Sequence, residues 1–484
     1  MKRLLFVLAL WMGSASAMAT DLVAVYQRAL QNDPQLREAE DTRLAALESK
    51  PQALSALLPQ LAANGAISRE RDKGPQNTTQ AVSLPVCTPT STAEGIPCAP
   101  AGSPNTIFET FPFNGTVETT THHYTLDLKQ NLFRWDNWVA LKRADAQVAQ
   151  AEADYQAAQQ DLMQRVAQAY FNVLSAQDEV EANEVALTSV TRQMEQAEAR
   201  YQIGLIAITD VEEARASHDS TAAAVIAGKR SLASMQEALR QITGDMFDFL
   251  ARPNEPFELA NPDPVSEDRW VDMALQQNLS LVSSRLAADI ARENIGIARG
   301  GHFPSIDLVA SGGKLKTDGV DTFNDGSPAG GTLLDQTQRS IGLQITFPIY
   351  SGGMVSSQVR QATYQHRAAK ERLERVARQT EHDARDSYLG VLSEISRVKA
   401  LRRAAESNMT SLKATESGYE AGTRTAVDVL QARQQWVQAQ TDYARSRYDY
   451  MMNVIKLEQA AGILSEQSLQ RLNALLKDQP PKAQ

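Results

Sequence analysis

The sequence predicts a mixed α/β membrane protein built twice over, from long coiled-coil helices and four strands suited to a transmembrane barrel that one chain cannot close. Three observations carry this expectation. First, one stretch occurs twice without a gap: Tyr170, Val173, Leu174 and Ser175 return as Tyr388, Val391, Leu392 and Ser393, a shift of 388 − 170 = 218 residues. Tyr201, Gly204, Asp210, Val211, Ala214, Arg215, Gln241 and Gly244 keep that shift as Tyr419, Gly422, Asp428, Val429, Ala432, Arg433, Gln459 and Gly462. Second, residues 138–201 contain no Pro or Gly and place Val173, Val180, Leu187, Met194 and Tyr201 seven apart. Third, four segments alternate apolar and polar residues with period two.

An ungapped register is what long helices joined by a short fixed turn impose, because an insertion rotates every later side chain off its face. The internal duplication follows. A second match, Leu36, Pro59 and Leu61 with Leu281, Pro304 and Ile306, has an offset of 281 − 36 = 245. The first half therefore carries 245 − 218 = 27 extra residues, which fall in the Pro-, Thr-, Ser- and Gly-rich stretch 69–121, read as a loop.

At the start, Lys2 and Arg3 precede an apolar run from Leu4 to Met12 and the small residues Ala15, Ser16 and Ala17. The run is too short to span a bilayer, which takes about 20 apolar residues. It reads as an export signal over 1–17, cleaved there or as late as 19. Loss of Lys2 and Arg3 takes the formal charge from −10 to about −12, which argues against a nucleic-acid partner. After export, Cys87 and Cys98 meet an oxidising compartment, and a local disulfide between them is expected.

The helical elements follow in order. Residues 34–56 form a first run of roughly 35 Å, residues 138–201 a helix of roughly 96 Å, and residues 210–241 a return helix of roughly 48 Å at ~1.5 Å per residue. The two shorter helices, meeting end on, nearly match the long one. The seam resumes with Val211, His218, Val225, Leu232 and Leu239. In the copy it reads Val391, Val398, Ala405, Leu412 and Tyr419, then Val429, Trp436, Tyr443, Tyr450 and Leu457. Pro51 and Gly296 hold equivalent places and each weakens a helix, so a bend is expected at both.

The strands are Leu61, Ala63, Gly65 and Ile67; Tyr124, Leu126 and Leu128; Ile306, Leu308 and Ala310; and Ile341, Leu343, Ile345, Phe347 and Ile349. Each is about ten residues long, as a tilted membrane-spanning strand requires, and each pair reads as a hairpin. Four strands cannot close a barrel, and an open edge cannot face lipid. Either they belong to a soluble sandwich or several chains pool them. Helices with long apolar seams need neighbours and so favour pooling. Three chains would supply twelve strands.

The phrases YQIGLIAITDVEEAR at 201–215 and GYEAGTRTAVDVLQAR at 418–433 resemble the helix-turn-helix tips of the TolC family of outer-membrane efflux proteins. LPQL before the first strand, PIYSGGMVSSQV after the fourth, RQITG at 240–244 and NLSL from Asn278 resemble its other junctions. The likeness covers nearly the whole mature chain and departs most at 69–121 and in the C-terminal tail. It implies a homotrimer in the outer membrane with a large periplasmic portion: a twelve-stranded barrel continued by a twelve-helix tunnel. It implies no catalysis and no cofactor. The expected role is an exit duct for RND, MFS or ABC inner-membrane transporters or type I secretion, docked by a periplasmic adaptor protein. The domains on this reading are repeats 18–245 and 267–464, a Pro-rich linker 246–266 and a tail 465–484.

The resemblance also assigns residues. Tyr419 and Arg424 become locking residues on one tip, with Asp210 and Thr209 as partners, and Gln193 and Glu416 a further pair. The turns at Gly204-Leu205 and Gly422-Thr423 become adaptor-docking points. Such a link contributes about 1.5 to 3 kcal/mol when shielded and under about 1 when wet. A simpler role remains open for Asp210 as the N-cap of a helix starting at Val211, and for Tyr419 as a packing residue of the seam. Asp428 becomes a ring of three repelling carboxylates, favouring bound cations or partial protonation. The family often carries a second aspartate one turn on; here Gln431 stands there, which weakens cation block.

Other candidates carry less. His122 and His123 are adjacent rather than four apart, which does not suit a metal site, and the acidic stretch 318–326 lacks the terminal Glu of a calcium loop. No phosphate loop, GxSxG or HExxH occurs. A coiled-coil surface adhesin headed by the 69–121 loop is the alternative class, and a periplasmic adaptor a third. Neither needs a duplicated, latched tip with membrane strands.

Overall fold

The structure, a computed structural model, describes residues 20–83, 86, 106–247, 249–254, 256–330 and 333–477. The export signal, the Cys87 and Cys98 pairing and the last seven residues lie outside them. In chain order the elements are α1 (Leu22–Asn32), α2 (Pro34–Leu47), α3 (Ser49–Ser55), β1 (Gln60–Ser83), β2 (Thr106–Phe133), α4 (Trp135–Gln202) and α5 (Ile208–Thr243). The second half follows with β3 (Arg252–Pro253), α6 (Glu267–Gln277), α7 (Leu279–Gly300), β4 (Ser305–Phe323), β5 (Pro328–Gly330), β6 (Leu333–Thr346), α8 (Met354–Glu420), α9 (Ala426–Ala460), α10 (Glu466–Asn473) and β7 (Leu476–Lys477).

Two compact units are formed: residues 1–50, 143–293 and 361–484, and residues 51–142 and 294–360. The first takes most of α4 and α8, helices of 68 and 67 residues that each have a length of about 100 Å at ~1.5 Å per residue. Their buried faces carry the repeated residues. Tyr170, Val173 and Leu174 are fully buried in a core that also takes Tyr388, Val391, Tyr448, Met451 and Ile455. Burial of each such side chain contributes roughly 1.5–3 kcal/mol. The Tyr170 hydroxyl donates to the Ala251 carbonyl at 2.8 Å, which ties the linker to the helices.

The shorter helices meet as their lengths require. Asn32 Nδ2 donates to the Thr243 carbonyl at the end of α5 (2.7 Å), and Asn278 Nδ2 donates to the Ala460 carbonyl at the end of α9 (3.0 Å). Between α1 and α2 the chain is extended at Asp33, whose carboxylate caps Leu36 N at 3.0 Å and pairs with Arg165 at 2.8 Å. Pro34 occupies the first helical position, where its missing N–H costs nothing. The interruption expected at Pro51 falls at Glu48 instead, because the proline removes the bond to the Leu47 carbonyl and its ring presses on that oxygen. At Gly296, where a bend is expected, α7 continues as one helix to Gly300. A Cβ on Gly296 would meet Val139 Cγ1 at 2.9 Å, so this glycine serves close helix packing.

In the second unit both expected hairpins form, and β2 also pairs with β4, giving the antiparallel order β1-β2-β4-β6 with β5 a short addition on β4. The strands are longer than the roughly ten residues that a membrane span requires: 24, 28, 19 and 14 residues. The 69–121 loop is correspondingly corrected, since the β1–β2 ladder runs on from Arg69↔Thr120 to Ser83↔Thr106. Turn-rich composition hid a ladder whose Thr and Val residues suit strands. One face is apolar, with Leu61, Ile67, Tyr124, Leu126, Ile341, Leu343 and Ile345 exposed. On the other, Asp127 accepts from Asn64 (2.8 Å), Thr125 (3.0 Å) and Ser311 (2.7 Å). One apolar and one polar face is the pattern of a barrel wall.

Candidate functional site

Both helical hairpins turn by the same device. At the end of α4, Leu205 N donates to the Arg200 carbonyl and Gly204 N to the Tyr201 carbonyl, both at 2.9 Å. At the end of α8, Thr423 N donates to Gly418 O (2.8 Å) and Gly422 N to Tyr419 O (3.0 Å). These are Schellman closures, and Gly204 and Gly422 each take φ +75, the left-handed conformation that the motif demands of its C′ residue. The turns present apolar side chains outward: Ile203 and Leu205 are 71% and 69% exposed.

Each hairpin is then braced by one ion pair repeated at the 218-residue shift. Arg215 reaches Glu198 at 3.0 Å, and Arg433 reaches Glu416. The second pair is the more enclosed, with the Arg433 side chain 12% exposed against 49% for Arg215. Glu416 is thus engaged by Arg433 within the chain, while Gln193 Oε1 is buried and makes no hydrogen bond. The structure therefore does not join Gln193 to Glu416 in one chain.

The return helices differ. Thr425 caps α9 in a full capping box: its N–H and hydroxyl donate to Asp428 Oδ2 at 2.9 and 3.0 Å, and its oxygen accepts from Asp428 N at 3.2 Å. In α5 the cap is Ala207, which has no side chain for the task, and Asp210 occupies the third helical position. The N-cap role weighed for Asp210 is corrected by this, because the helix begins at Ile208 rather than Val211. Asp210 is half-buried and its carboxylate makes no hydrogen bond or ion pair among the described residues. Thr209 and Arg424 likewise have no such side-chain partner there.

Asp428 is not poised for protonation within its own chain. The backbone N–H and then the hydroxyl of Thr425 hold its carboxyl below the usual carboxylate range, with the Arg424 charge adding to this. Partial protonation of a ring would have to overcome that local pull. Tyr419 accepts a hydrogen bond that the sequence did not reveal: Arg200 Nη1 donates to its hydroxyl at 3.1 Å and the guanidinium lies 5.2 Å from its ring centroid.

Three residues of this site, Arg200, Glu198 and the Arg433 partner of Glu416, were missed from sequence. The Glu198–Arg215 spacing does recur as Glu416–Arg433, a legible signal. Arg200 has no such signal, since its counterpart is Gly418. His122 and His123 follow one another on β2, so their side chains leave opposite faces and do not converge. Residues 318–323 continue β4, and Asp325 accepts from Ser327 N and Oγ in the turn beyond.

The family model described as "Outer membrane efflux protein" matches residues 25–245 and 270–463. The chain is 35% identical to the outer membrane protein TolC of Escherichia coli K12, across 96% of this chain and 86% of that one. It is 27% identical to the alkaline protease secretion protein AprF of Pseudomonas aeruginosa, across 95% and 88%. Among solved structures, the CmeC outer membrane channel of Campylobacter jejuni matches with a TM-score of 0.72 at 19% identity, covering 94% of this chain and 89% of that chain, and so shares the fold.

Proposed function

Because the chain belongs to the outer membrane efflux protein family, whose members form exit ducts for efflux and type I secretion, we propose that it acts as a homotrimer closed at its periplasmic helix tips by side-chain links. The protein resides in the outer membrane with a periplasmic tunnel, and its family is a channel family, not an enzyme family. Its partners are those of tripartite pumps and secretion systems in general. Our finer reading is a periplasmic adaptor docking at Gly204-Leu205 and Gly422-Thr423, with an RND, MFS or ABC transporter behind it. Four strands with two outer edges, on β1 and β6, support pooling of three chains into twelve strands.

The observation that carries the gate is the asymmetry of the two tips. At equivalent positions, Asp428 is satisfied by its own cap whereas Asp210 keeps its carboxylate free, and Arg424 keeps its guanidinium free of hydrogen bonds and ion pairs. One tip supplies a donor and the other an acceptor. Arg424 and Tyr419 reaching Asp210 and Thr209 of an adjacent tip would close the duct. Gln193 and Glu416 would form a further link between chains, and Asp428 a cation-attracting ring. Each link is weak enough for a docking partner to break, and threefold repetition makes closure firm.

Planar-bilayer conductance tests this. Wild type is expected to conduct poorly and Arg424→Ser to conduct freely; if neither passes current, the duct closed by these tips is excluded. Photocrosslinking in cells from Gly204 and Gly422 is expected to capture a periplasmic adaptor.

A further inference from the structure

We propose that Arg200 is a positioning residue of this gate, acting through Tyr419; the inference rests on the gated-duct reading above. Arg200 lies in the last turn of α4 and Tyr419 in the last turn of α8, so their contact joins the two hairpins of one chain at their tips. The guanidinium both donates to the phenolic oxygen at 3.1 Å and covers the ring at 5.2 Å from its centroid. A phenol has one hydrogen to give. With its oxygen accepting from a cation, that hydrogen is left for a carboxylate and becomes a stronger donor. Arg200 thereby fixes where the ring stands and commits its O–H outward, toward an acceptor such as the unengaged Asp210.

The duplication supplies an internal comparison. Tyr201 occupies the same turn of α4 that Tyr419 occupies in α8, yet among the described residues no guanidinium covers it and it is 44% exposed. The residue that would have to cover it is Gly418, the counterpart of Arg200. A side chain at Gly418 would displace Arg424: a Cβ would stand 2.8 Å from Arg424 Cγ and 3.2 Å from Thr423 Oγ1. Arginine at 200 and the packing of Arg424 over a bare Gly418 are therefore two halves of one arrangement. The hairpins, each braced internally by Arg215–Glu198 and Arg433–Glu416, are tied to one another by a link of one polarity.

Full-length protein in planar bilayers tests the proposal, with assembly checked by electrophoresis. Arg200→Met is expected to raise the frequency of the open level about tenfold, as loss of a charge-assisted hydrogen bond allows. Tyr419→Phe should do the same, and the double variant no more than either alone. Arg200→Lys should restore most of the closure, and Tyr201→Phe should leave wild-type behaviour. If Arg200→Met stays closed while Arg424→Ser opens, Arg200 has no part in a gate that exists. If the double variant is additive, Arg200 acts other than through Tyr419, and the proposal fails. If Arg424→Ser is also silent, the gate reading falls and this inference with it.

Discussion

Asp428 is held by Thr425 through two donors at 2.9 and 3.0 Å, while Asp210, at the same helical position 218 residues earlier, follows Ala207 and has neither. The duplicated tips thus differ in which carboxylate is engaged within the chain. Thr425→Ala removes the hydroxyl from Asp428, leaves the backbone N–H as its one remaining donor from residue 425, and should fray the start of α9. Hydrogen exchange in its first turn is expected to quicken roughly fivefold, as loss of a cap implies. The sign with pH follows from the lowered Asp428 value: its stabilising effect is present above the ordinary carboxylate pKa and lost as pH falls through the folded one. The Thr425→Ala difference should therefore shrink on acidification, and a difference that persists in acid would exclude the capping box as its source.

The repeated hairpin brace should be unequal in its two copies. Glu416→Met leaves the Arg433 guanidinium, 12% exposed, without its anion and should cost roughly 1–3 kcal/mol, whereas Glu198→Met leaves Arg215, 49% exposed, and removes a pair worth under about 1. Chemical denaturation of the two variants checks this; equal losses would mean that burial does not set the difference.

Gly462→Ala and Gly422→Ala both place a side chain at positive φ, +76 and +75. Around Gly422 there is open space, so only the left-handed strain of roughly 1–2 kcal/mol applies. At Gly462 a Cβ would stand 2.3 Å from the Gln277 carbonyl oxygen, and moving that backbone adds roughly 1–3 kcal/mol. Thermal unfolding should rank Gly462→Ala well below Gly422→Ala.

Asp178 sits beneath the linker, accepting from the Tyr448 hydroxyl at 2.7 Å and 3.5 Å from Arg252. Burial pushes its carboxyl up, more than Tyr448 and Arg252 pull it down. A raised folded value means that its favourable contribution is complete below the ordinary carboxylate pKa and is lost as pH rises through the folded value. Asp178→Asn, which keeps an acceptor for Tyr448, should therefore gain on wild type as pH rises from about 4 to 7. Melting temperatures across that range measure it; a constant offset would show that Asp178 does not titrate there.

Much of the fold was legible because helices and strands are periodic. The 218-residue shift, the seam through Val173 and Val391, and the alternation at Leu61 and Ile341 are each local patterns with a known geometric meaning. Composition misled where it overrode pattern. Pro, Thr and Gly in 69–121 read as loop, yet Arg69 to Ser83 pair residue by residue with the returning strand. Gly296 read as a weak point, and its role became visible only beside Val139. At the tips, the phrases around Gly204 and Gly422 located the turns, and resemblance named Tyr419, Arg424 and Asp210.

Period and duplication alone were enough to establish two helical hairpins, their turns and two strand pairs, because those depend on residues near one another in the chain. Which groups are already spoken for was settled only by folding. Arg200 covers Tyr419 across 219 residues, Glu416 belongs to Arg433, and Asp210 lacks the cap bonds that Asp428 makes with Thr425. A hydrogen bond needs a donor and an acceptor within about 3 Å, and the spacing of letters does not say which distant turns are brought that close.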